Sequence, residues 1–213
     1  MAKSDAPLFG IDASGAIGNS IVYARWKGVK YARRYVVPAN PRTAEQVLTR
    51  DCFAFLNGMW AKIPGLGRDP WRAYAAGKAL TDRNAFIKIN LPQLREATDL
   101  SQFVASPGVG GGLPLASFTA TGGTGQIQAT AGVPSLPLGW SVASVVFQVV
   151  PQQDPHGAFS GDVLMQEDVD SPYSATFTGL SAGVYVVSAW ATYTRPDGKR
   201  AYGASLITTV TVS

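Results

Sequence analysis

The sequence predicts an α+β unit followed by an all-β sandwich, on three observations. A β-hairpin pattern near the N-terminus is followed by helix-start signals within the first hundred residues. Beyond residue 115, short β-branched and aromatic segments recur between turn residues, the spacing of an antiparallel sandwich. The chain of 213 residues holds 23 Gly and 14 Pro, which favours many turns and short strands over an all-helical bundle.

The predicted hairpin joins two β-branched and aromatic runs, residues 20–26 and 29–37, through Lys27-Gly28. Gly28 can take the positive φ that a tight turn demands. Because side chains alternate along a strand, we expect Tyr31, Arg33 and Tyr35 to share one face. Upstream, the Gly-rich residues 10–18 predict an extended arm or turn, since no Gly-Lys-Ser/Thr follows to make a phosphate loop.

About three short helices are predicted to follow. Thr43 is the expected N-cap of the first, with Gln46 three residues on to return the bond. Its apolar stripe comprises Ala44, Val47, Leu48, Cys52, Phe55, Leu56 and Met59. Asp69-Pro70 predicts a second helix running to about Ala79, and Thr81 starts a third.

The predicted sandwich contains seven strands. They are residues 115–121, 126–131, 141–150, 161–166, 174–178, 184–194 and 201–212. The firmest turn is Arg195-Pro196-Asp197-Gly198, which puts Pro where φ must be near −65° and Gly where φ must be positive. In the penultimate strand one face carries Val186, Ser188, Trp190 and Thr192. Because two of these residues are large and apolar, this face need not be fully exposed to solvent.

Charge is unevenly distributed along the chain. Residues 1–100 hold 15 Lys and Arg against 8 Asp and Glu, a net of +7, whereas residues 101–213 hold 3 against 6, a net of −3. Two halves of opposite character imply two domains. We therefore expect a basic docking domain at residues 1–104, a Gly/Pro-rich linker at 105–114 and a sandwich at 115–213.

The segment from Phe177 to Ala189 resembles the penultimate-strand region of fibronectin type III and related immunoglobulin-like domains. In that family a leucine lies five residues before a tyrosine whose hydroxyl bonds back to the backbone. Leu180 and Tyr185 match that spacing. The resemblance implies an immunoglobulin-like sandwich with a structural tyrosine corner at these two residues.

Several separated motifs lie within residues 10–95 of the N-terminal part: a Ser-Gly…Gly-Asn arm at 14–19, Trp26-Lys27-Gly28, Tyr31-x-Arg33, and Asn40-Pro41-Arg42-Thr43 with Gln46, followed by Arg50 and Phe53. In these motifs the N-terminal part is similar to a family of virion-associated proteins encoded in bacteriophages and prophages. The resemblance implies a virion component. Immunoglobulin-like appendages are frequent on phage capsids and tails.

Residues suited to catalysis or metal binding are sparse. His156 is the one histidine and Cys52 the one cysteine, so a zinc site lacks ligands and we expect Cys52 to be a buried small hydrophobic residue. No Gly-x-Ser-x-Gly motif accompanies the histidine. The carboxylates of Glu167-Asp168-Val169-Asp170 lack a calcium-loop spacing and are typical of a solvated loop, with a hydrolase as the remote alternative. The sequence thus predicts a non-enzymatic protein without cofactors or metals.

The predicted protein-docking residues are the basic and aromatic side chains of the hairpin: Arg25, Trp26, Lys27, Lys30, Tyr31, Arg33 and Arg34. They suit an acidic protein surface. A plain solvated strand is the second interpretation, and nucleic acid is the weakest because no recognised nucleic-acid module is present.

These observations predict a virion structural protein that docks in many copies on a capsid or tail lattice and displays the sandwich outward. The alternative is a host-surface or glycan-binding module that uses sandwich loops with Trp140, Trp190, Tyr193 and Tyr202. No apolar run is long enough for a membrane span and the N-terminus lacks a signal-peptide core, so we expect synthesis in the host cytoplasm and no membrane partner.

Overall fold

The chain folds as two compact units, Met1–Arg42 and Thr43–Ser213. The structure is a computed structural model and describes residues 2–3, 14–26, 29–37 and 39–213. This division differs from the predicted one, which placed residues 43–104 with the N-terminal domain. The α+β region followed by an all-β sandwich is confirmed as the order of the elements along the chain.

Unit 1 (Met1–Arg42) is a four-stranded antiparallel sheet. Its strands are β1 (Ala2–Lys3), β2 (Gly15–Ile17), β3 (Ile21–Trp26) and β4 (Val29–Arg34), in the order β1-β4-β3-β2. The predicted hairpin strands are present as β3 and β4, whereas the predicted Lys27-Gly28 turn and residues 10–13 of the predicted arm lie outside the described residues. The rest of that arm supplies β2.

Unit 2 (Thr43–Ser213) begins with three helices, α1 (Ala44–Lys62), α2 (Gly65–Ala75) and α3 (Asp82–Leu94). The hydroxyl of Thr43 accepts the predicted bond from the N–H of Gln46, and Thr81 caps α3 in the same way. The predicted start of the second helix at Asp69-Pro70 is wrong. That helix begins at Gly65 after Pro64, and Pro70 lies inside it.

Nine strands follow: β5 (Pro107–Val109), β6 (Ser117–Gly123), β7 (Gln126–Gly132), β8 (Ser141–Pro151), β9 (Leu164–Asp168), β10 (Tyr173–Thr178), β11 (Gly183–Thr194), β12 (Arg200–Ala204) and β13 (Leu206–Val212). A small sheet has the order β10-β7-β6. A larger one has the order β5-β12-β11-β8-β9, with β13 also paired to β11. All seven predicted strands appear, and the last is divided at Ser205.

The larger sheet is buried on both faces, so unit 2 has three layers. One face of β8 and β11 presents Phe147 and Val187 to the small sheet, within a core that includes Ile127 and Phe177. The opposite face presents Val146 and Trp190 to the helices, within a second core that includes Phe55, Met59 and Phe86. The expectation that the face carrying Trp190 is not fully exposed to solvent is therefore confirmed, because the helices cover this face.

The predicted linker at 105–114 is wrong, because this segment is bonded into unit 2. The N–H groups of Ala105 and Ser106 donate to the Ser205 hydroxyl at 3.1 and 3.2 Å, and the Ser106 hydroxyl donates to the carbonyl of Gly203 at 2.7 Å. The indole N–H of Trp71 in α2 donates to the Ala105 carbonyl at 3.1 Å. The segment thus joins helices and sheet, and β5 adds a strand to the larger sheet.

None of the three helices that the structure describes combines the length and the hydropathy of a membrane span.

Candidate docking surface

The strand register of unit 1 divides the predicted docking residues between two faces of the sheet. One face carries Arg25, Lys30 and Arg34, and the other carries Tyr31 and Arg33, because residues directly opposite across a ladder share a face. The pairs that fix this are Ile21 with Arg34, Val22 with Arg33, Ala24 with Tyr31, and Arg25 with Lys30. Trp26 lies in β3, and Lys27 is outside the described residues.

The arginines of this sheet are exposed. Arg25, Arg33 and Arg34 all lie on the surface, whereas Lys30 and Tyr31 are half-buried. No ion pair is found for the three arginines within the part of the chain that the structure describes. Exposed guanidinium groups without carboxylate partners remain available to carboxylates or phosphates of another molecule.

Positive charge is concentrated in unit 1 rather than in the whole first half of the chain. Unit 1 contains seven Lys and Arg against two Asp, a net of +5, and unit 2 contains the remaining 11 against 12 Asp and Glu, a net of −1. The helices that the sequence assigned to a basic domain belong to a nearly neutral body. The basic surface therefore coincides with the four-stranded sheet.

Two exposed isoleucines accompany the basic side chains, and sequence reasoning missed them. Ile17 on β2 lies opposite Ile21 on β3, and Ile21 lies opposite Arg34 on β4, so the three form one row across the sheet. Ile17 is 55% exposed and Ile21 40%. The alternation of side chains along β3 was the available signal, but assigning a face required the pairing with β2.

The tyrosine corner that the resemblance implies has its expected geometry. The hydroxyl of Tyr185, near the start of β11, donates to the carbonyl of Ser181 at 2.9 Å. Leu180 is partly buried against the sandwich core, and its N–H donates to the carbonyl of Gly125 at 3.0 Å. These contacts fix the turn between β10 and β11.

Asp168 has a structural role within the carboxylate cluster. Its carboxylate accepts the N–H of Ser174 at 2.7 Å and that of Asp170 at 3.1 Å, and these bonds hold the pKa of Asp168 below its ordinary value. Two residues earlier in β9, the Gln166 side chain exchanges two bonds with the backbone of Thr176. Side chains of β9 therefore satisfy the free edge of β10 and join the two sheets.

The remaining carboxylate of β9 faces an open cleft between α2 and the larger sheet. The cleft, of about 450 Å³, is lined by Asp69, Glu167, Arg200 and Tyr202, among others. Asp69 is held in an ion pair with Arg72 at 2.8 Å. Burial, aided by Asp69, raises the pKa of Tyr202. No group of three potential metal ligands occurs in the described ranges.

His156 and Cys52 are parts of the scaffold. The two ring nitrogens of His156 lie 2.9 Å from a carboxylate oxygen of Asp154 and 2.7 Å from the carbonyl of Arg95, so the ring ties the loop after β8 to the end of α3. Cys52 is fully buried on α1, as predicted, and burial raises the pKa of its thiol to about 11. A thiol in this state is not a nucleophile at neutral pH.

The four aromatic residues considered for ligand stacking are mostly enclosed. Trp190 and Tyr193 are fully buried, while Trp140 and Tyr202 are half-buried. The ring of Trp140 packs edge-on against Tyr193 at 6.2 Å between centroids, and Arg195 lies 5.9 Å above Trp140. The group does not form an exposed aromatic platform.

Comparison with known proteins assigns neither a family nor a function to the chain. No protein-family model and no curated protein sequence matches the chain. Among solved structures, the chain is similar to fibronectin(III)-like modules of Clostridium thermocellum CbhA, at 24% identity, with 46% of each chain covered and a TM-score of 0.29. The match thus spans less than half of that chain. The sandwich is assigned from the strand order described above, and the phage resemblance stays a prediction.

Proposed function

We propose that this chain is a non-enzymatic structural protein of a bacteriophage virion, made in the host cytoplasm and assembled in many copies. Unit 1 docks on an acidic surface of the capsid or tail lattice, and unit 2 displays its immunoglobulin-like sandwich. The observation that supports this proposal is the difference in charge between the units. Unit 1, which forms the four-stranded sheet, has a net charge of +5, whereas unit 2 has a net charge of −1. The N-terminal resemblance to virion-associated proteins supports the same role.

The layered packing of unit 2 supports a rigid display body. Three of its titratable side chains, Asp168, His156 and Asp154, are engaged in hydrogen bonds of the scaffold. Many copies on neighbouring lattice sites make a modest interface sufficient, because each bound neighbour raises the effective concentration of the next. A charged sheet face of a few arginines is adequate for that purpose.

Mass spectrometry of purified virions tests the location. We expect peptides from both units at a copy number that reflects lattice symmetry. Virions that lack the chain would refute the proposal, whatever the behaviour of the isolated protein.

Charge reversal tests the docking unit. Arg33→Glu together with Arg34→Glu should reduce incorporation into particles while circular dichroism and the melting temperature stay near wild type, because exposed substitutions usually change stability by about 0.5 kcal/mol or less. The matched control is Lys88→Glu with Lys199→Glu, which makes the same change in net charge at exposed positions of unit 2. Equal loss by the control pair would refute docking through unit 1.

A host-surface binding module is the second candidate, and the loop after β7 favours it. Leu138 is fully exposed at the tip of a turn closed by the Trp140 N–H and the Pro137 carbonyl at 3.1 Å, with Gly139 at a φ of 79°. An exposed leucine held in this way suits an apolar pocket on a host-surface protein. Leu138→Asp should then abolish adsorption to host cells without lowering incorporation. Unchanged adsorption would exclude this role for the loop.

A further inference from the structure

The open cleft between α2 and the larger sheet, which we name the α2 cleft, is built by side chains from four elements of unit 2. Its volume of about 450 Å³ lies within the range of about 300–1,000 Å³ that is usual for small-molecule sites. Helix α2 and strands β9, β11 and β12 contribute its lining residues, Leu66, Asp69, Glu167, Thr192, Arg200 and Tyr202.

The strand register places the sheet residues of the α2 cleft on the helix-facing side. Glu167 lies directly opposite Val146, which packs against the helices. Thr192 follows two residues after the buried Trp190 and therefore shares its face, and Tyr202 lies opposite Thr192. The polar side chains thus converge from separate strands on a space that α2 borders.

Thr192 is a buried polar residue without a partner in this cleft. It is 7% exposed, and its hydroxyl makes no hydrogen bond with any residue that the structure describes. The phenol of the neighbouring Tyr202 makes none within the same part of the chain either. Buried polar groups are nearly always hydrogen-bonded. Because Thr192 lines the cleft, the partner of its hydroxyl has to come from inside the cleft.

Two charged groups of opposite sign also line the cleft without an ion pair. Asp69 is engaged by Arg72 at 2.8 Å. Neither the Glu167 carboxylate nor the Arg200 guanidinium forms an ion pair within the described part of the chain. Three strand spacings, about 14 Å, separate β9 from β12 in the larger sheet. The cleft therefore presents a negative group on one side and a positive group on the other.

The separation of these charges defines the complementary ligand. A guanidinium group favours a carboxylate, and a carboxylate favours an ammonium group. Leu66 is half-buried and supplies an apolar wall for methylene groups between the two charges. An α-amino acid fits less well, because its ammonium and carboxylate groups are bonded to one carbon. A phosphate ester is disfavoured by the carboxylates of Glu167 and Asp69.

We propose that the α2 cleft binds an elongated dipolar ligand, with an ammonium group at Glu167 and a carboxylate at Arg200. Thr192 and Tyr202 supply hydroxyls between the charged ends. A free ω-amino acid and the C-terminal lysine of a peptide share this chemistry. The site belongs to unit 2 and does not depend on docking through unit 1.

Nuclear magnetic resonance titration of the purified full-length chain tests the site, with ε-aminocaproate as the probe. We expect the amide signals of Thr192 and Tyr202 to shift and to approach saturation near 10 mM, about tenfold above a Kd of about 1 mM. Hexylamine and hexanoate, which each retain one of the two charges, should bind about tenfold more weakly, the loss typical of one charge-assisted hydrogen bond.

Peptides distinguish the two sources of the ligand. A short peptide that ends in lysine with a free carboxylate should shift the same signals, and its C-terminal amide should bind about tenfold more weakly. Binding of this peptide assigns the site to a peptide C-terminus, whereas binding of ε-aminocaproate alone assigns it to a free ω-amino acid.

Neutral variants identify the two charged contacts. Glu167→Gln and Arg200→Gln should each weaken the binding of ε-aminocaproate about tenfold. The matched controls are Asp170→Asn and Lys199→Gln, which remove the same charges at exposed positions outside the cleft. Both controls should bind like the wild type.

Thr192→Val separates a binding role from a structural one. The variant keeps the shape of the side chain and removes its hydroxyl. Because that hydroxyl has no protein partner, we expect the urea midpoint to stay the same or rise while binding weakens. A lower midpoint with unchanged binding would show that the hydroxyl serves the fold.

Three further results would overturn the proposal. A titration without shifts at Thr192 and Tyr202 would leave the cleft without this ligand. Equal affinity for hexylamine and ε-aminocaproate would exclude recognition of the carboxylate. Equal weakening by the two control variants would show that binding follows net charge rather than the α2 cleft.

Discussion

Removal of the helices tests the claim that unit 2 is one three-layered body. In a fragment of residues 105–213, the helix-facing side of the larger sheet loses its cover. Val146, Val150 and Val186 are each 1% exposed in the full chain, and Trp190 is fully buried. Burial of a side chain of this size contributes about 1.5–3 kcal/mol, so exposure of the four costs about 6–12 kcal/mol. That equals most of the 5–15 kcal/mol by which a domain is typically stable.

The assay compares residues 105–213 with residues 43–213 by far-ultraviolet circular dichroism and urea unfolding. We expect the longer fragment, which lacks only unit 1, to unfold cooperatively, and the shorter one to show no cooperative transition. If the fragment of residues 105–213 had the same urea midpoint as residues 43–213, the helical layer would contribute no stability to the sandwich. That result would mean that the sandwich is stable without its helical layer.

Three substitutions test individual contacts within unit 2 by urea unfolding. A side chain at Gly122 would meet the Thr211 carbonyl oxygen at 1.9 Å, so Gly122→Ala should lower the free energy of unfolding by about 3 kcal/mol. The control Gly65→Ala, which has open space around it, should be nearly neutral. Equal urea midpoints for the two variants would contradict the close approach at Gly122. Tyr185→Phe removes the corner bond and should cost about 1 kcal/mol; an unchanged midpoint would argue against a stabilising corner. Asp168→Asn should lower the free energy of unfolding at pH 7, and the two proteins should have similar free energies of unfolding near pH 2. The reason is that a carboxylate with a lowered native pKa contributes stability that is lost as the pH falls through that pKa. A difference that stays constant across pH would exclude this linkage.

The local structure was predictable where short-range chemistry determines it. Thr43 and Thr81 cap their helices as expected, since a hydroxyl before an apolar stripe satisfies orphan N–H groups. The turn at Arg195-Pro196-Asp197-Gly198 has its glycine at a φ of 73° and is closed by a bond of 2.9 Å. These features depend on residues only a few positions apart.

The domain boundary was not predictable from the same patterns. The segment 105–114 contains four glycines and two prolines in its Pro107–Pro114 run, a composition typical of linkers. In the structure, several of these glycines permit close approach instead. A side chain at Gly112 would meet the carbonyl oxygen of Tyr202 at 2.3 Å. The contact joins residues 90 positions apart, which no local pattern reports.

The charge of the candidate site was predictable from the sequence, but the face of the sheet on which each residue lies was not. The sequence identifies Arg33 and Arg34 together as docking residues, yet neighbouring positions in a strand lie on opposite sides. Ile21 lies opposite Arg34 through the pairing of β3 with β4, and Ile17 joins them through the pairing of β2 with β3. Because pairing register depends on the folded sheet, the composition of each face became visible only in the structure.

A reconstruction of the assembled virion by electron cryomicroscopy would show whether unit 1 docks this chain on a lattice. We expect density for unit 1 against lattice subunits, with its arginines facing acidic side chains, and density for the sandwich of unit 2 outside the contact. A particle without this chain, or one that holds it through unit 2 with the basic sheet in solvent, would refute docking through unit 1.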